Sequence, residues 1–423
     1  MRGILGEEFN QFLHALNEPE QKGILVNTNK IQVERFKDII DFEVSAIPYE
    51  RAGFCVDNIK LGHHPLHHAG AFYVQDPSAM FTVNSFKFNG NERVLDMCAS
   101  PGGKTIQIAN RLSEGVLVSN EINPSRSQVL FSNVERMGLK NVVVCNDTPK
   151  TIAKAYGNYF DVVLVDAPCS GEGMFRRGQK VVDEWNENLP KMCAERQIEI
   201  LHSADKVLKQ GGHIIYSTCT YSVEENEDVA SQFARENGYE LVNIQSNLSR
   251  GIGVPEAVRL YPHCNRGEGQ FVAVMRKVSE NEQSDCTRLR LKRDPLAKKF
   301  VKDNIDRTLD LYKYKNFSYY IKDCSIIKEG VNYVSLGVRI GEEKNNLFTP
   351  NHNLFTAFGG EFKRKTDLKY DSLAAKKYLR GEALEHDFSD GFGVVLIENC
   401  PVGGFKISAG KFKNHYPKGL REG

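Results

Sequence analysis

Two cysteines end apolar runs in this chain. Cys169 lies in "FDVVLVDAPCSGEG", residues 160 to 173, just before a glycine turn, and Cys219 lies in "GGHIIYSTCTYSVEEN", residues 211 to 226, just before an acidic helical start. A thiolate is a nucleophile and a metal ligand, whereas a thiol within an apolar strand is a small, inert core group. None of the ten cysteines are paired as C-x-C or C-x-x-C, which argues against a zinc knuckle or a thioredoxin-type site. Ten are also sparse for a chain of 423 residues, so they are expected to be reduced rather than bridged. Cys55, Cys145, Cys193, Cys264, Cys286, Cys324 and Cys400 are read as core residues. Cys169 and Cys219 remain as candidates for chemistry, with Cys98, inside a glycine loop, intermediate between the two readings.

That loop is "DMCASPGGKT", residues 96 to 105, directly after an apolar run. A glycine turn between a strand and its helix sets backbone N–H groups at a helix N-terminus, where a ligand can approach closely. A dinucleotide fingerprint G-x-G-x-x-G is absent, and a phosphate P-loop needs glycine where Cys98 stands. The remaining reading is a site for S-adenosylmethionine. It assigns the loop Cys98, Ala99, Ser100, Pro101, Gly102, Gly103 and Lys104 to the cofactor. Glu121, twenty-five residues after Asp96, is assigned to the ribose hydroxyls and Asp147 in "CNDTP" to adenine. As isolated residues, both acids would pass for ordinary loop or capping groups.

The elements that position these residues are legible. Short apolar runs at 93–98, 115–120, 141–146, 160–168, 212–218 and 271–277 read as strands, and their continuous apolar character predicts a sheet buried on both faces. Helical stretches alternate with them, among them "CAERQIEILHSADKVLKQGG", expected to close at Gly211 and Gly212. The β-α alternation predicts a doubly wound α/β core. We draw it over residues 71–278, after a small α/β piece over 1–70 and before a β-rich C-terminal region over 288–423. The polar "VSENEQSDCT", residues 278 to 287, is the expected linker. "NYVSLGVRIGEEK", "TAFGG" and "GFGVVLIENCPVGGFKIS" are read as short strands around glycine turns.

A net charge of +1 hides segregation. Residues 286 to 315 hold ten Lys/Arg against four Asp/Glu, and residues 405 to 421 hold five basic residues and no acidic one, with Phe and Tyr interleaved. Such stripes suit phosphate contact and base stacking, or else form a solvated surface. No apolar run is long enough to span a bilayer and the N-terminus lacks a signal-peptide pattern, so a soluble, cytoplasmic protein without membrane partners is expected.

The motifs "LDMCASPGGKT", "VDAPCSGEGMFRR" and "YSTCTYSVEENE" resemble the RNA cytosine-5 methyltransferases, and among them the RsmF-like bacterial ribosomal RNA enzymes. "GEEFNQFL", "GILVNTNKI", "HHAGAFYVQDPSAM" and "KNHYPKGLR" extend the likeness along nearly the whole chain. The resemblance implies a Rossmann-like class I methyltransferase core and a PUA-like C-terminal module. It also implies methylation of cytosine carbon 5 in ribosomal RNA, with the small ribosomal subunit as partner. By the same resemblance Cys219 is the nucleophile, Cys169 assists elimination, and Asp166 lies beside the methyl donor and the base. Transfer RNA as substrate, and a noncatalytic RNA-binding or assembly factor, are the alternatives. A monomer is the default.

Three further features complete the reading. "HHPLHH", residues 63 to 68, contains neither carboxylate nor cysteine, and Pro65 prevents a regular helix from aligning its histidines, so no metal is assigned. Arg176 and Arg177 are candidates to hold a phosphate beside a flipped base, or a surface pair. Ser100 and Thr220 stand where the family commonly has alanine and serine, and "GGFKISAG" lacks an expected tryptophan.

Overall fold

The computed structural model describes residues 1–57, 60–280, 286–344 and 347–422. Part of the expected linker, 281–285, falls outside them. An antiparallel N-terminal sheet comprises β1 (Lys22–Val26), β2 (Ser45–Ile47), β3 (Glu50–Val56) and β4 (Phe72–Gln75), in the order β2-β3-β1-β4. It therefore reaches Gln75, past the boundary drawn at residue 70. The next helix, Pro77–Asn84, is capped by Asp76, which accepts a hydrogen bond from the Ala79 N–H, with proline in the first turn.

The core sheet has parallel strands β5 (Arg93–Asp96), β6 (Val116–Asn120), β7 (Val142–Cys145), β8 (Phe160–Asp166) and β9 (Leu208–Thr218), arranged β7-β6-β5-β8-β9. Antiparallel strands β10 (Tyr239–Val242), β11 (Ser249–Gly251), β12 (Val254–Leu260) and β13 (Gln270–Lys277) follow, with β13 against β9. Alternate residues of each strand enter two separate cores. Val94, Leu117, Val162, Leu164 and Ile215 pack with Ile106, Leu130 and Val134 of helices Gly103–Arg111 and Pro124–Met137. Leu95, Val118, Val163, Val165 and Tyr216 pack with Ile152, Leu201 and Phe233 of helices Pro149–Ala155, Leu189–Val207 and Glu227–Asn237. Helices cover both faces, as the unbroken apolar runs require. The strand order reverses at β5, so the carboxyl ends of β5, β6 and β8 flank a switch point, where doubly wound folds bind ligands.

Two local expectations need correction. The helix expected to close at Gly211 and Gly212 ends at Val207, and Leu208–Gly212 already belongs to β9. Leu208 is fully buried opposite Phe160, and Lys209 pairs with Asp161 at 2.5 Å, so burial and charge draw the segment into the sheet. "TAFGG" is not a strand. Residues His352–Phe358 form a helix capped by Asn351, burying Leu354, Phe355 and Phe358.

The C-terminal region holds a sheet of five short strands between Lys292 and Pro350, and a four-stranded sheet between Lys365 and Asn414. Tyr333–Ser335 belongs to neither; it pairs antiparallel with β7 and extends the core sheet beyond the boundary drawn at 278. Among the described residues no helix is long and apolar enough to cross a membrane.

Lys30 ties the three regions together. Its buried ammonium donates to the carbonyls of Ala69, Arg136 and Pro401 at 2.8, 3.0 and 3.1 Å. Burial pulls its pKa down to about 7. Lys30→Met keeps the volume but leaves three carbonyls without that donor, and is expected to destabilise the protein by about 2–4 kcal/mol, read as a lowered denaturant midpoint.

Candidate active site

The glycine loop runs from the end of β5 to the helix Gly103–Arg111. Met97 N–H continues the parallel ladder to Leu164 O at 2.9 Å, and Ala99 N–H reaches Asn120 O at 2.8 Å. Gly102 then adopts φ 114°, a left-handed conformation that favours glycine, so the chain can turn into the helix. The loop is strapped to the helix Pro124–Met137. Ser100 Oγ donates to Arg126 O at 2.9 Å, Arg126 Nη2 donates to Ser100 O at 2.8 Å, and Asn133 Nδ2 donates to Pro101 O at 2.9 Å. The serine at position 100 thus contributes a brace that an alanine lacks. Cys98 is a neutral thiol here, its pKa pushed up by burial and then by the neighbouring Asp96.

Asp96, at the end of β5, is fully buried. Its Oδ2 accepts from Thr105 Oγ1 at 2.7 Å, while Oδ1 has no hydrogen-bond partner among the described residues. Burial raises the carboxyl to about 7; the Thr105 hydrogen bond opposes the shift and Asp166 adds to it. The folded state therefore binds a proton that the unfolded chain has released between its ordinary pKa and about 7, so this group costs stability as pH rises through that window. Asp96→Asn is expected to be more stable than wild type by a few kcal/mol at pH 8 and little changed at pH 4, as read by denaturant unfolding at both values.

Glu121 and Asp147 end the next two strands. Glu121 is buried, with Oε1 accepting from Asn123 N–H at 2.9 Å and Oε2 3.8 Å from Arg126. Asn120 joins the two strand ends: its Nδ2 donates to Asp147 O at 2.9 Å and its Oδ1 accepts from Asp147 N–H at 3.1 Å. Asp147 Oδ2 accepts the Asn332 N–H at 2.6 Å, and burial raises its pKa.

On the other side of β5, Asp166 ends β8. Lys104 Nζ donates to its Oδ2 at 2.8 Å and Ser217 Oγ to its Oδ1 at 2.7 Å. Burial disfavours the Lys104 ammonium, but Asp166 and then Cys219 outweigh it and hold the proton on. Cys169 and Cys219 follow the paired strands β8 and β9, and their sulfurs lie 3.3 Å apart as free thiols. Cys169 is pushed well up from its ordinary pKa, first by its hydrogen bond to Cys219 and then by burial.

The two cysteine loops are knitted by residues whose part the sequence did not reveal. Gly173 N–H donates to Cys219 O at 2.8 Å, and a Cβ on Gly173 would lie 2.6 Å from that oxygen, so only glycine permits the approach. Glu225 accepts from Ser170 N–H at 3.0 Å, from Ser170 Oγ, and from Gln197 Nε2 at 2.9 Å. Ser170 Oγ meets Thr220 Oγ1 at 2.8 Å. Asn226 donates to Thr220 O at 3.0 Å and accepts from Thr218 Oγ1 at 2.5 Å. The "EEN" after Cys219 reads as a helix start, yet the helix begins at Glu227, and Glu225 and Asn226 turn back to brace both cysteines. Flanked by Glu224 and Glu227, they carry no local signal that sets them apart from the acids of a helix start.

Arg176 is not free for phosphate. Its side chain is buried against Glu268 at 2.8 Å and also donates to Gly267 O at 2.5 Å. Arg177 is exposed. The histidine cluster gains a carboxylate from the far end of the chain: His68 contacts Glu422 at 3.2 Å and Tyr416 OH at 2.9 Å, and His63 lies 4.0 Å from the same Glu422 oxygen.

The chain matches the description 16S rRNA methyltransferase RsmB/F over residues 83–276, the N-terminal domain of 16S rRNA methyltransferase RsmF over 1–77, and the methyltransferase RsmF PUA domain over 365–422. It is 30% identical to ribosomal RNA small subunit methyltransferase F of Vibrio campbellii over 446 residues, covering 97% of this chain and 93% of that protein. The chain belongs to the RsmB/F methyltransferase family. Among solved structures, a methyltransferase homolog protein from Pyrococcus horikoshii is 30% identical with TM-score 0.56, covering 64% of this chain and 91% of that one. NSun6 from Pyrococcus horikoshii, 23% identical with TM-score 0.60 and covering 66% and 97%, shares the fold. In this RsmB/F family member, every residue of the candidate site except Asn332 lies inside the matched core. The four-stranded C-terminal sheet, with its parallel first pair, lies largely within the matched PUA domain.

Proposed function

We propose that this protein transfers a methyl group from S-adenosylmethionine to carbon 5 of a cytosine in small-subunit ribosomal RNA, through a covalent bond between Cys219 and carbon 6. The observation that carries this reading is the pair of free thiols 3.3 Å apart on adjacent strand ends, beside the Lys104–Asp166 pair.

The cofactor reading fits the residues present. A buried Asp96 oxygen without a partner among the described residues, the glycine turn at a helix start, and the buried Glu121 carboxylate offer acceptors and N–H groups at one switch point. Glu121 would hold the ribose hydroxyls, Asp147 the adenine, and the 98–104 loop with Asp166 the amino-acid end. When bound, the donor supplies an electrophilic methyl on a sulfonium.

Carbon 5 of cytosine is a poor nucleophile, so a thiolate must first add to carbon 6 and turn the ring into an enamine. Cys219 Sγ makes that bond. Asp166 takes the thiol proton of Cys219 and delivers it to ring nitrogen 3, which neutralises the negative charge that addition creates, while the Lys104 ammonium holds the carboxylate in place. Carbon 5 then takes the methyl, and its proton must leave before the sulfur–carbon bond breaks. Before addition, Cys169 keeps its proton because it is hydrogen-bonded to Cys219 and buried. Once Cys219 Sγ is bonded to carbon 6, Cys169 no longer shares a hydrogen bond with a second thiol, while burial still favours its protonated form. Cys169, having lost its own proton to solvent, accepts the carbon 5 proton; the carbon 5–carbon 6 double bond re-forms and Cys219 departs as thiolate.

The test is incubation of labelled S-adenosylmethionine with unmodified small-subunit particles, naked small-subunit RNA and transfer RNA, followed by digestion to nucleosides. Label in 5-methylcytidine from the ribosomal substrates is expected. Label in another nucleoside would overturn the carbon 5 assignment, and label in transfer RNA alone would overturn the ribosomal one.

A further inference from the structure

Residues 277–364 fall between the matched core and the matched C-terminal domain. Part of this stretch is nonetheless built into the core. Ile326, Ile327, Val331 and Tyr333 are buried in the same cluster as Tyr156, Phe160 and the β8 face. Tyr156 OH donates to Ile326 O at 2.8 Å, and Tyr333 OH meets Tyr156 OH at 3.1 Å and accepts from Lys328 N–H at 2.7 Å. The segment then pairs with β7 and covers what would otherwise be the open edge of the core sheet.

At the start of that edge strand stands Asn332, itself exposed but with both main-chain groups engaged. Its N–H donates to Asp147 Oδ2 at 2.6 Å and its C=O accepts from Asn146 N–H at 2.9 Å. Asn146 in turn donates through its side chain to Glu121 O at 2.7 Å and Ile122 O at 3.0 Å. Edge covering alone requires only the ladder along Tyr333–Ser335. It does not require a main-chain donor on the carboxylate of the strand-end acid, nor a relay to the next strand end.

We propose that Asn332 is a positioning residue of the cofactor site, and that docking of segment 323–335 onto β7 and binding of the nucleoside end of the methyl donor are one coupled equilibrium. The proposal rests on the assignment of Asp147 and Glu121 to adenine and ribose. A free carboxylate at a strand end samples several rotamers; one held by a main-chain N–H presents its remaining lone pairs in a fixed direction. Coupling is reciprocal, so a ligand that needs the fixed carboxylate must also stabilise the segment that fixes it.

Calorimetric titration with S-adenosylhomocysteine tests this on the full chain. Asn332→Ala keeps the main-chain donor and is expected to stay within about twofold of wild type, whereas Asn332→Pro removes it and should weaken binding about tenfold. Proline is tolerated at a strand start, and a matching thermal midpoint checks the fold. Hydrogen exchange on wild type gives a second measurement: adding S-adenosylhomocysteine should slow exchange in the 323–335 peptide. If Asp147→Ala weakens binding while Asn332→Pro and the exchange rates match their controls, the coupling is overturned and the adenine assignment stands. If Asp147→Ala also binds like wild type, the adenine assignment falls, and the coupling with it.

Discussion

Replacing Cys219 with alanine is expected to abolish methyl transfer, lowering turnover by about four orders of magnitude or more, while cofactor affinity stays within about twofold of wild type. The size follows from the chemistry. Without addition at carbon 6 there is no enamine, and no neighbouring group substitutes: Cys169, 3.3 Å away, follows a different strand and is braced by Ser170 and Glu225. The loss therefore falls on the chemical step and not on binding, so kcat and kcat/KM should fall together. Single-turnover transfer from labelled donor to RNA, with calorimetry on the same variant, separates the two. Retained turnover would remove Cys219 from its role.

Cys169→Ala is expected to lose at least about a thousandfold in turnover and, unlike Cys219→Ala, to accumulate protein–RNA adduct. Addition and methylation do not need Cys169, but departure needs the carbon 5 proton removed. A species that survives denaturing electrophoresis should appear with RNA and donor, and should vanish in the Cys169→Ala, Cys219→Ala double variant. The two phenotypes are opposite on one gel, which makes the pair of variants more informative than either alone. Absence of adduct from a Cys169→Ala protein that still binds RNA would assign proton removal to another group.

Much of this was legible because local rules and global fold agree. Unbroken apolar runs in a β-α alternation can be buried only inside a two-faced sheet, and alternate residues do divide between two cores. Asp76 before Pro77 had to cap a helix, and does. That the candidate residues would lie together was legible for the same reason: in such a sheet the carboxyl ends of the strands lie together, so residues following successive runs must converge on one edge. Errors arose where a long-range partner overrode a local signal. Gly211 and Gly212 look like a helix stop, but Phe160 and Asp161 draw Leu208 and Lys209 into the sheet. Arg176 looks like a phosphate ligand, but Glu268, 92 residues on in the chain, already occupies it.

The sequence by itself determined the class of fold, the residues at the strand ends and, through its motifs, the family, because each depends on residue type and short spacing. Only the tertiary structure decided which groups meet. Glu225 and Asn226 fold back on the cysteine loops, Glu422 joins His68, Lys30 bridges three regions, and Asn332 reaches Asp147 from 185 residues away. The reason is physical. Periodicity records which face of an element is buried, but a polar contact between distant segments leaves no periodic trace, and its partner is fixed only when the packed core brings the two together.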